Sequence, residues 1–451
     1  MHLKLLTLAI ALAAISLPSH GEDLLDAYQQ ARANDPVLSQ ADATRLSTGE
    51  GVNQARALLL PQINADMSLS QTSGGTSGTG QLIQDPNNSG QFITTSGFGH
   101  TRTRSINGTL SQSVLDFSKY ANLKAAHSAA DAQDEFYQAA VQQLYVRVAS
   151  AYFGVLTSED ALTYAKANED AFRQQFDQSD QRFKVGLSAI TDVYQAKAYY
   201  EAAKANTIAA QNTLNDAREA LTQITGTPTT DLKKLREDLP MQPPMPNDQD
   251  SWVKQAMLTN PNLLAQKANV ETAEHNISAA RAGHLPTINA SVSYGKNVSW
   301  YQNGGGRDNG ASTTFGVTLN VPIFSGGATQ SRVRQQIYQR DAASDGMESQ
   351  RRQVVRETLN YYRSVIAGIA QVSSAKASVD SGKKALEATR AGFEVGTQTL
   401  TNVLLAIQTL TSSESTYSQA RHQFILNKLL LEQTAGTANV KNMESINALL
   451  E

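Results

Sequence analysis

Two stretches of the chain carry a seven-residue stripe: Val193, Tyr200, Thr207, Leu214 and Leu221 in one, Val403, Leu410, Tyr417, Phe424 and Leu431 in the other. A heptad sustained this long predicts helices that supercoil and pack in a narrow seam. Upstream of the first stripe, Tyr137, Val141, Leu144, Val148, Ala151 and Val155 step by fours and threes, the spacing of one helical face. The pattern predicts a helix from about Phe117 to Val185, on the order of 100 Å long at 1.5 Å per residue. Its partner runs from about Ala189 to Thr225, and a second pair covers Ala328 to Val395 and Leu400 to Thr434. The same punctuation joins both pairs. Arg182-Phe183-Lys184-Val185-Gly186-Leu187 returns, 210 positions on, as Gly392-Phe393-Glu394-Val395-Gly396-Thr397. The Gly of each Phe-x-Val-Gly lets one helix stop and the next start, so each copy predicts the tip of a helical hairpin.

Elsewhere the period drops to two. Ile63, Ala65, Met67 and Leu69 alternate with Asn64, Asp66, Ser68 and Ser70, and Ile106, Leu110 and Val114 resume the alternation more weakly. In the second half Ile288, Ala290, Val292 and Tyr294, then Phe315, Val317, Leu319 and Val321, do the same. Four strands are predicted, at about 62–72, 104–115, 287–299 and 312–323. A loop rich in Gly, Ser, Thr and Asn, from about Gln71 to Thr103, separates the first two, and Gly304 to Gly310 separates the others. Helices precede both strand pairs, with Asn34-Asp35-Pro36 and Asn260-Pro261 as starts and Leu60-Pro61 and Leu285-Pro286 as ends.

The halves match residue for residue in places. Ala55-Arg56-Ala57 and Pro61-x-Ile63-Asn64-Ala65 return as Ala280-Arg281-Ala282 and Pro286-x-Ile288-Asn289-Ala290 at an offset of 225. The chain therefore reads as a tandem duplication of helix, two strands, long helix, turn, long helix. The first repeat is 22–225, with its hairpin at 117–225; the second is 251–436, with its hairpin at 328–434. Between them, 226–250 contains Pro240-Met241-Gln242-Pro243-Pro244-Met245-Pro246, a stiff extended connector. A short segment, 437–451, follows the second repeat.

Composition narrows the compartment. Aromatics at 6% and charged residues at 18% suit long helices with small, mildly polar faces better than a large globular core. A formal charge of −3 leaves no basic footprint, so no nucleic-acid partner is expected. Residues 1–21 read as a secretory signal: Lys4, the apolar run Leu5 to Leu17, then Ser19-His20-Gly21 before Glu22. No later stretch reaches about 18 apolar residues, so no helix is expected to span a bilayer. Without Cys there are no disulfides, no thiolate metal ligands and no thiol for a lipid anchor. Any hold on a membrane must then be a β-barrel. The seven His show no pair at metal spacing, and neither a phosphate loop nor a Gly-x-Ser-x-Gly elbow is present. Neither an enzyme nor a cofactor or metal site is expected.

The strands have the length and alternation of membrane strands facing lipid on one side and water on the other. Trp300-Tyr301 just past one end, and Phe117 and Phe324 at the other, sit where an aromatic belt belongs. The same alternation suits a soluble sheet packed on helices. Four strands cannot close a barrel, for which about eight is the practical minimum. In the membrane reading, several copies pool their strands.

The duplication resembles the TolC family of outer-membrane exit ducts. So do Ala149-Ser150-Ala151-Tyr152-Phe153-x-Val155-Leu156, Phe183-x-Val185-Gly186-Leu187-x-Ala189-Ile190-Thr191-Asp192-Val193 and Gly283-His284-Leu285-Pro286-Thr287. The resemblance implies a mainly α fold with a small β part. It also implies a homotrimer whose twelve strands form one barrel in outer-membrane lipid, continued by a twelve-helix periplasmic tunnel. A small equatorial domain would surround the connector and chain termini. A periplasmic adaptor and an inner-membrane transporter would be the partners, with small molecules, secreted proteins or both as cargo. The alternative is a soluble periplasmic coiled-coil scaffold.

By the same resemblance, the adaptor would dock at Val185, Gly186 and Leu187 on one tip and Val395, Gly396 and Thr397 on the other. The plainer reading makes these turn-forming residues only. The family ties its closed tip with an Asp on one hairpin held by an Arg and a Tyr on the other, above a double ring of Asp. Here Thr191 and Asp192 match the first hairpin, but Gln398 stands for the Arg, Phe393 for the Tyr, and Asn402 and Leu405 for the ring. A bond from Gln398 to Asp192, an apolar constriction of Leu405, and a Lys184–Glu394 pair are the expected replacements.

Overall fold

In chain order the elements are helices α1 (Leu24–Asn34) and α2 (Pro36–Ala57), then strands β1 (Gln62–Gly75), β2 (Leu82–Gln84), β3 (Phe92–Thr94) and β4 (Phe98–Leu115). Helices α3 (Phe117–Lys184), α4 (Ile190–Thr225), α5 (Gln249–Thr259) and α6 (Pro261–Ala282) follow, then β5 (Thr287–Tyr301) and β6 (Arg307–Asn320). Helices α7 (Ala328–Glu394), α8 (Leu400–Thr434) and α9 (Val440–Asn447) complete the order. The computed structural model describes residues 22–75, 82–84, 88, 90–94, 98–229, 231–301 and 307–451. The expected signal at 1–21, much of the first strand loop and Gly304 to Gly306 lie outside the described residues. Two compact units result: residues up to Arg45 with Gln133–Gln266 and Gly346–Glu451, and Leu46–Ala132 with Lys267–Asp345.

In the second unit the strands form one antiparallel sheet in the order β1-β4-β5-β6, so β1 and β6 are its edges. Register gathers the alternating apolar residues on one face. Ile63 lies opposite Leu110, which lies opposite Val292, which lies opposite Phe315. Asn64, Thr109, Ser293 and Thr314 make the corresponding row on the other face, where Asn107 Nδ2 donates to Asp66 Oδ2 at 2.9 Å. Both edges leave their apolar side chains uncovered: Ile63 is 75% and Phe315 77% exposed.

The strand limits differ from those the alternation predicts. β4 begins at Phe98, since Phe98 to Thr103 keep pairing with β1 although their side chains do not alternate. Trp300 and Tyr301 belong to β5 rather than lying beyond it. β6 ends at Asn320, so Val321 falls outside it; Pro322 lacks an N–H and restricts the residue before it. The weak alternation near Val114 has a cause, a register shift between Ser113 and Leu115 that leaves Val114 as a bulge. Within the predicted loop, β2 and β3 pair as a short hairpin that the composition hid.

In the first unit the heptad stripes face the core. Val193, Leu214, Leu221, Val403, Phe424 and Leu431 are all core, with Ala196 and Ala203 between the larger residues of α4. That large-small alternation lets the helices approach closely. Tyr28, Leu144, Tyr152, Phe153, Val365, Phe424 and Met443 share one cluster, in which the Tyr28 and Tyr145 rings stack at 4.9 Å. The connector joins it through backbone bonds, Glu22 N–H to Asp231 O at 2.9 Å and Lys234 N–H to Glu451 O at 3.0 Å. Tyr152 Oη donates to Glu22 O and Lys233 O, fixing both strands of the junction. Asp35, between α1 and α2, caps Leu38 N–H at 2.8 Å and takes both ends of the Arg147 guanidinium. Burial works against that carboxylate, but Arg147 and the backbone donors outweigh it and hold its pKa below the usual range. Asn260 repeats the role in the second half, capping Leu263 N–H and donating to Thr434 O.

Two titratable groups in this unit, buried His422 and half-buried Glu432, oppose one another. Burial, aided by nearby Arg421 and opposed by Asp160, pushes His422 down from 6.5 to about 4. Thr157 Oγ1 lies 2.7 Å from His422 Nδ1 and from Phe153 O, a bonded partner for the neutral ring. Burial pushes Glu432 up from 4.5 to about 7, against Lys428 and Asn442. A depressed His contributes stability above 6.5 that is lost as pH falls toward 4; a raised Glu contributes stability below 4.5 that is lost as pH rises toward 7. Relative to the native sequence, His422→Gln is therefore expected to gain stability on acidification and Glu432→Gln on alkalinisation. Each gain is about 3 kcal/mol across its window. Denaturant unfolding followed by helical circular dichroism at pH 4 and 7 checks both slopes; parallel profiles for all three proteins would contradict them.

Candidate functional site

Both hairpin tips are built by one backbone device. At the first, Leu187 N–H bonds Arg182 O at 2.8 Å and Gly186 N–H bonds Phe183 O at 2.9 Å. At the second, Thr397 N–H bonds Gly392 O at 2.8 Å and Gly396 N–H bonds Phe393 O at 3.2 Å. This is the Schellman closure, which needs a left-handed residue; Gly186 has φ +77° and Gly396 φ +79°. A Cβ on either would meet nothing within 4 Å. The glycines thus serve the backbone, while the space above them stays open. Val185, Leu187 and Val395 are each at least 70% exposed, and Thr397 is exposed as well. Apolar side chains held out on a rigid turn suit a partner surface.

The helices beyond the turns start differently. Ala189 provides no side-chain cap for α4, so Ser188 Oγ donates instead to Asp192 Oδ2 at 2.8 Å. Thr399 caps α8, accepting from Asn402 N–H. Gln398 folds back over Gly392, where an added Cβ would come within 2.6 Å of Gln398 Cγ. Its Oε1 accepts from Asn402 Nδ2 at 2.7 Å. Within one chain, then, Gln398 is bonded to Asn402 and Asp192 to Ser188, not to each other. The Lys184–Glu394 pair does not form within the chain either: Lys184 Nζ lies 2.6 Å from Asp180. Sequence-neighbouring partners win because they are already in place.

A different contact joins the two tips. The Arg182 guanidinium lies over the Phe393 ring at 4.8 Å. Gln195 Nε2 donates to Thr401 Oγ1 at 3.1 Å just beyond. Below them Phe172, Ala196, Leu400, Val403, Leu404 and Ile407 form a small core that supports both tips. Sequence reasoning missed Arg182, Gln195 and Thr401, although Arg182 heads the repeated motif where the second copy has Gly392. That asymmetry was the available signal. Thr191 and Leu405 point away from the small core; Leu405 is 57% exposed, and Tyr194 is an uncovered aromatic near it in sequence alignment of the repeats. A crevice of about 290 Å³ lies between Gln174, Gln175 and Gln178 of α3 and Arg390, Phe393 and Glu394 of α7. Among the described residues no cluster fit to hold a metal is found, and no helix is long and apolar enough to cross a membrane.

Comparison with known proteins gives concordant results. The model of the family "Outer membrane efflux protein" matches residues 27–227 and 252–437, one match for each half. Outer membrane protein TolC of Vibrio cholerae is 34% identical, covering 99% of this chain and 99% of its own length. The alkaline protease secretion protein AprF of Pseudomonas aeruginosa is 26% identical, over 94% of this chain and 86% of its own. Among solved structures, a membrane protein from Pseudomonas aeruginosa superposes with a TM-score of 0.76 at 20% identity, covering 92% of this chain and 90% of that one.

Proposed function

The chain belongs to the outer membrane efflux protein family, and from that premise we propose that it is a passive exit duct of the outer membrane. The observation that carries this is the sheet: one face that is mainly apolar from its helical end upward, and two edges with their backbone groups unpaired among the described residues. An open edge cannot stand in hydrocarbon, where every N–H and C=O must be bonded. β1 of one copy pairing with β6 of the next satisfies both edges at once. Three copies of a four-stranded sheet make a twelve-stranded barrel, lipid outside and the Ser, Thr and Asn face toward water. Family membership favours this over a water-soluble scaffold.

The duct supplies no energy of its own, so an inner-membrane pump, joined through a periplasmic adaptor, drives the cargo. The exposed Val185, Leu187, Val395 and Thr397, with open space over Gly186 and Gly396, support adaptor docking at the tips. Thr191, Asp192, Phe393, Gln398, Asn402 and Leu405 would form the gate, to which Arg182 is now added. The family's name speaks of efflux and one relative's of protease secretion, and cargo follows from the pump recruited.

The absence of native Cys makes the edge pairing testable. One Cys at Ser68 on β1, combined in turn with Thr314, Gly316 or Thr318 on β6, is expected to cross-link chains into trimers for one combination. The species should be found in the outer-membrane fraction and resist SDS until heated. A water-soluble monomer that cross-links in no combination would contradict the duct.

A further inference from the structure

The apolar face of the sheet changes character toward the end where the strands connect to one another rather than to helices. Lys296 lies opposite Ile106, Arg104 opposite Val298, and Arg102 opposite Trp300, all in the register of the apolar row. The side chains of Arg102, Arg104, Lys296 and Trp300 therefore project from the face that carries Ile63, Leu110, Val292 and Phe315. Counted from Ile288 at the helical end, ~3.3 Å per residue and a tilt of ~40° put Lys296 roughly 20 Å and Arg104 roughly 25 Å up the membrane normal. That is the upper limit of the apolar band of a membrane barrel, about 25 Å tall. Charges belong there only if they meet headgroups.

Their hydrogen bonding is incomplete. Arg104 stacks its guanidinium over the Trp300 ring at 5.9 Å, while its Nε is buried with no bonding partner. Arg102 Nε donates to Gln71 Oε1 at 2.9 Å, and among the described residues no acceptor meets its two terminal nitrogens. Among the described residues every ion pair is formed elsewhere, and none of their carboxylates neutralises the three cations. The patch sits on the two central strands, so it needs no second copy to be complete.

We propose that Arg102, Arg104, Lys296 and Trp300 form a binding site for a phosphorylated lipid headgroup of the outer leaflet. Arg forks match phosphate oxygens in two-pronged fashion, Lys adds a point charge, and the indole sits at the interface. Basic side chains at the edge of an apolar membrane surface recognise anionic headgroups by this chemistry. The inference rests on the strands crossing the outer membrane, as proposed above.

The test is native mass spectrometry of the purified trimer in detergent, titrated with diphosphorylated lipid A, dephosphorylated lipid A or inorganic phosphate. The wild type is expected to bind the diphosphorylated lipid about tenfold more tightly than the dephosphorylated one. The triple variant Arg102→Gln/Arg104→Gln/Lys296→Gln is expected to lose about the same factor. Millimolar inorganic phosphate should leave lipid binding unchanged. Equal binding by the triple variant, indifference to the lipid phosphates, or displacement by inorganic phosphate would each overturn the site. Should the triple variant not trimerise, Arg104→Gln and Lys296→Gln singly are expected to weaken binding about threefold each; no change in either overturns it equally. A wild-type chain absent from the outer membrane would instead refute the duct itself.

Discussion

Gly186→Trp and Gly396→Trp are expected to abolish export while trimers still form and insert. Two effects must be separated. Any L-residue at these left-handed positions strains the backbone by roughly 1–2 kcal/mol, and a large one also fills the space above the turn. Because a Cβ on either glycine meets nothing within 4 Å, the indole can stand outside the fold without displacing it. It then occupies the surface proposed for adaptor docking. Losing about 1.4 kcal/mol or more of docking energy is a tenfold loss of affinity. Gly186→Ala and Gly396→Ala carry the strain without the bulk, so they should keep most export. The readouts are export in cells and trimer abundance in outer-membrane extracts. Normal export by both Trp variants refutes docking at the tips, whereas loss of the trimer assigns Gly186 and Gly396 to the turn alone.

Leu405→Ser is expected to raise the open probability of single channels by an order of magnitude. Leu405 projects from α8 while Val403, Leu404 and Ile407 are buried in the small core. Three such side chains around one axis make a constriction that excludes water. Burying one Leu is worth about 1.5–3 kcal/mol, so even partial loss around a ring moves the closed state by a factor near ten. Arg182→Ala should have a smaller effect in the same direction. Its contact with Phe393 is half-exposed, worth about 0.5–1 kcal/mol, or two- to fivefold. Planar-bilayer recordings of each variant and of the pair would show whether the constriction and the contact act independently. Unchanged gating in Leu405→Ser refutes the apolar gate, and unchanged gating in Arg182→Ala limits the Phe393 contact to stabilising the tip.

The long helices, the hairpin turns, the duplication and the two-faced strands were all legible in the sequence. Each is set by periodicity or by a local backbone need. A heptad such as Val193 to Leu221 must pack against another helix wherever it lies, and Gly186 must end a helix whatever its surroundings. The alternation from Ile63 to Leu69 likewise assigns a face without naming the neighbouring strand. What depends on distant residues meeting, or on close rivals for one bond, was not legible. The Arg182–Phe393 contact joins positions 211 apart. Lys184 faced Asp180 and Glu394 as possible partners, and Gln398 faced Asn402 and Asp192; in each case the partner four residues away was closer within the chain. The Val114 bulge and the polar reach of β4 were hidden because backbone pairing continues where side-chain alternation stops. Tertiary structure alone decided these, since register fixes which side chains stand opposite, and it is register that gathered Arg102, Arg104, Lys296 and Trp300 onto one face.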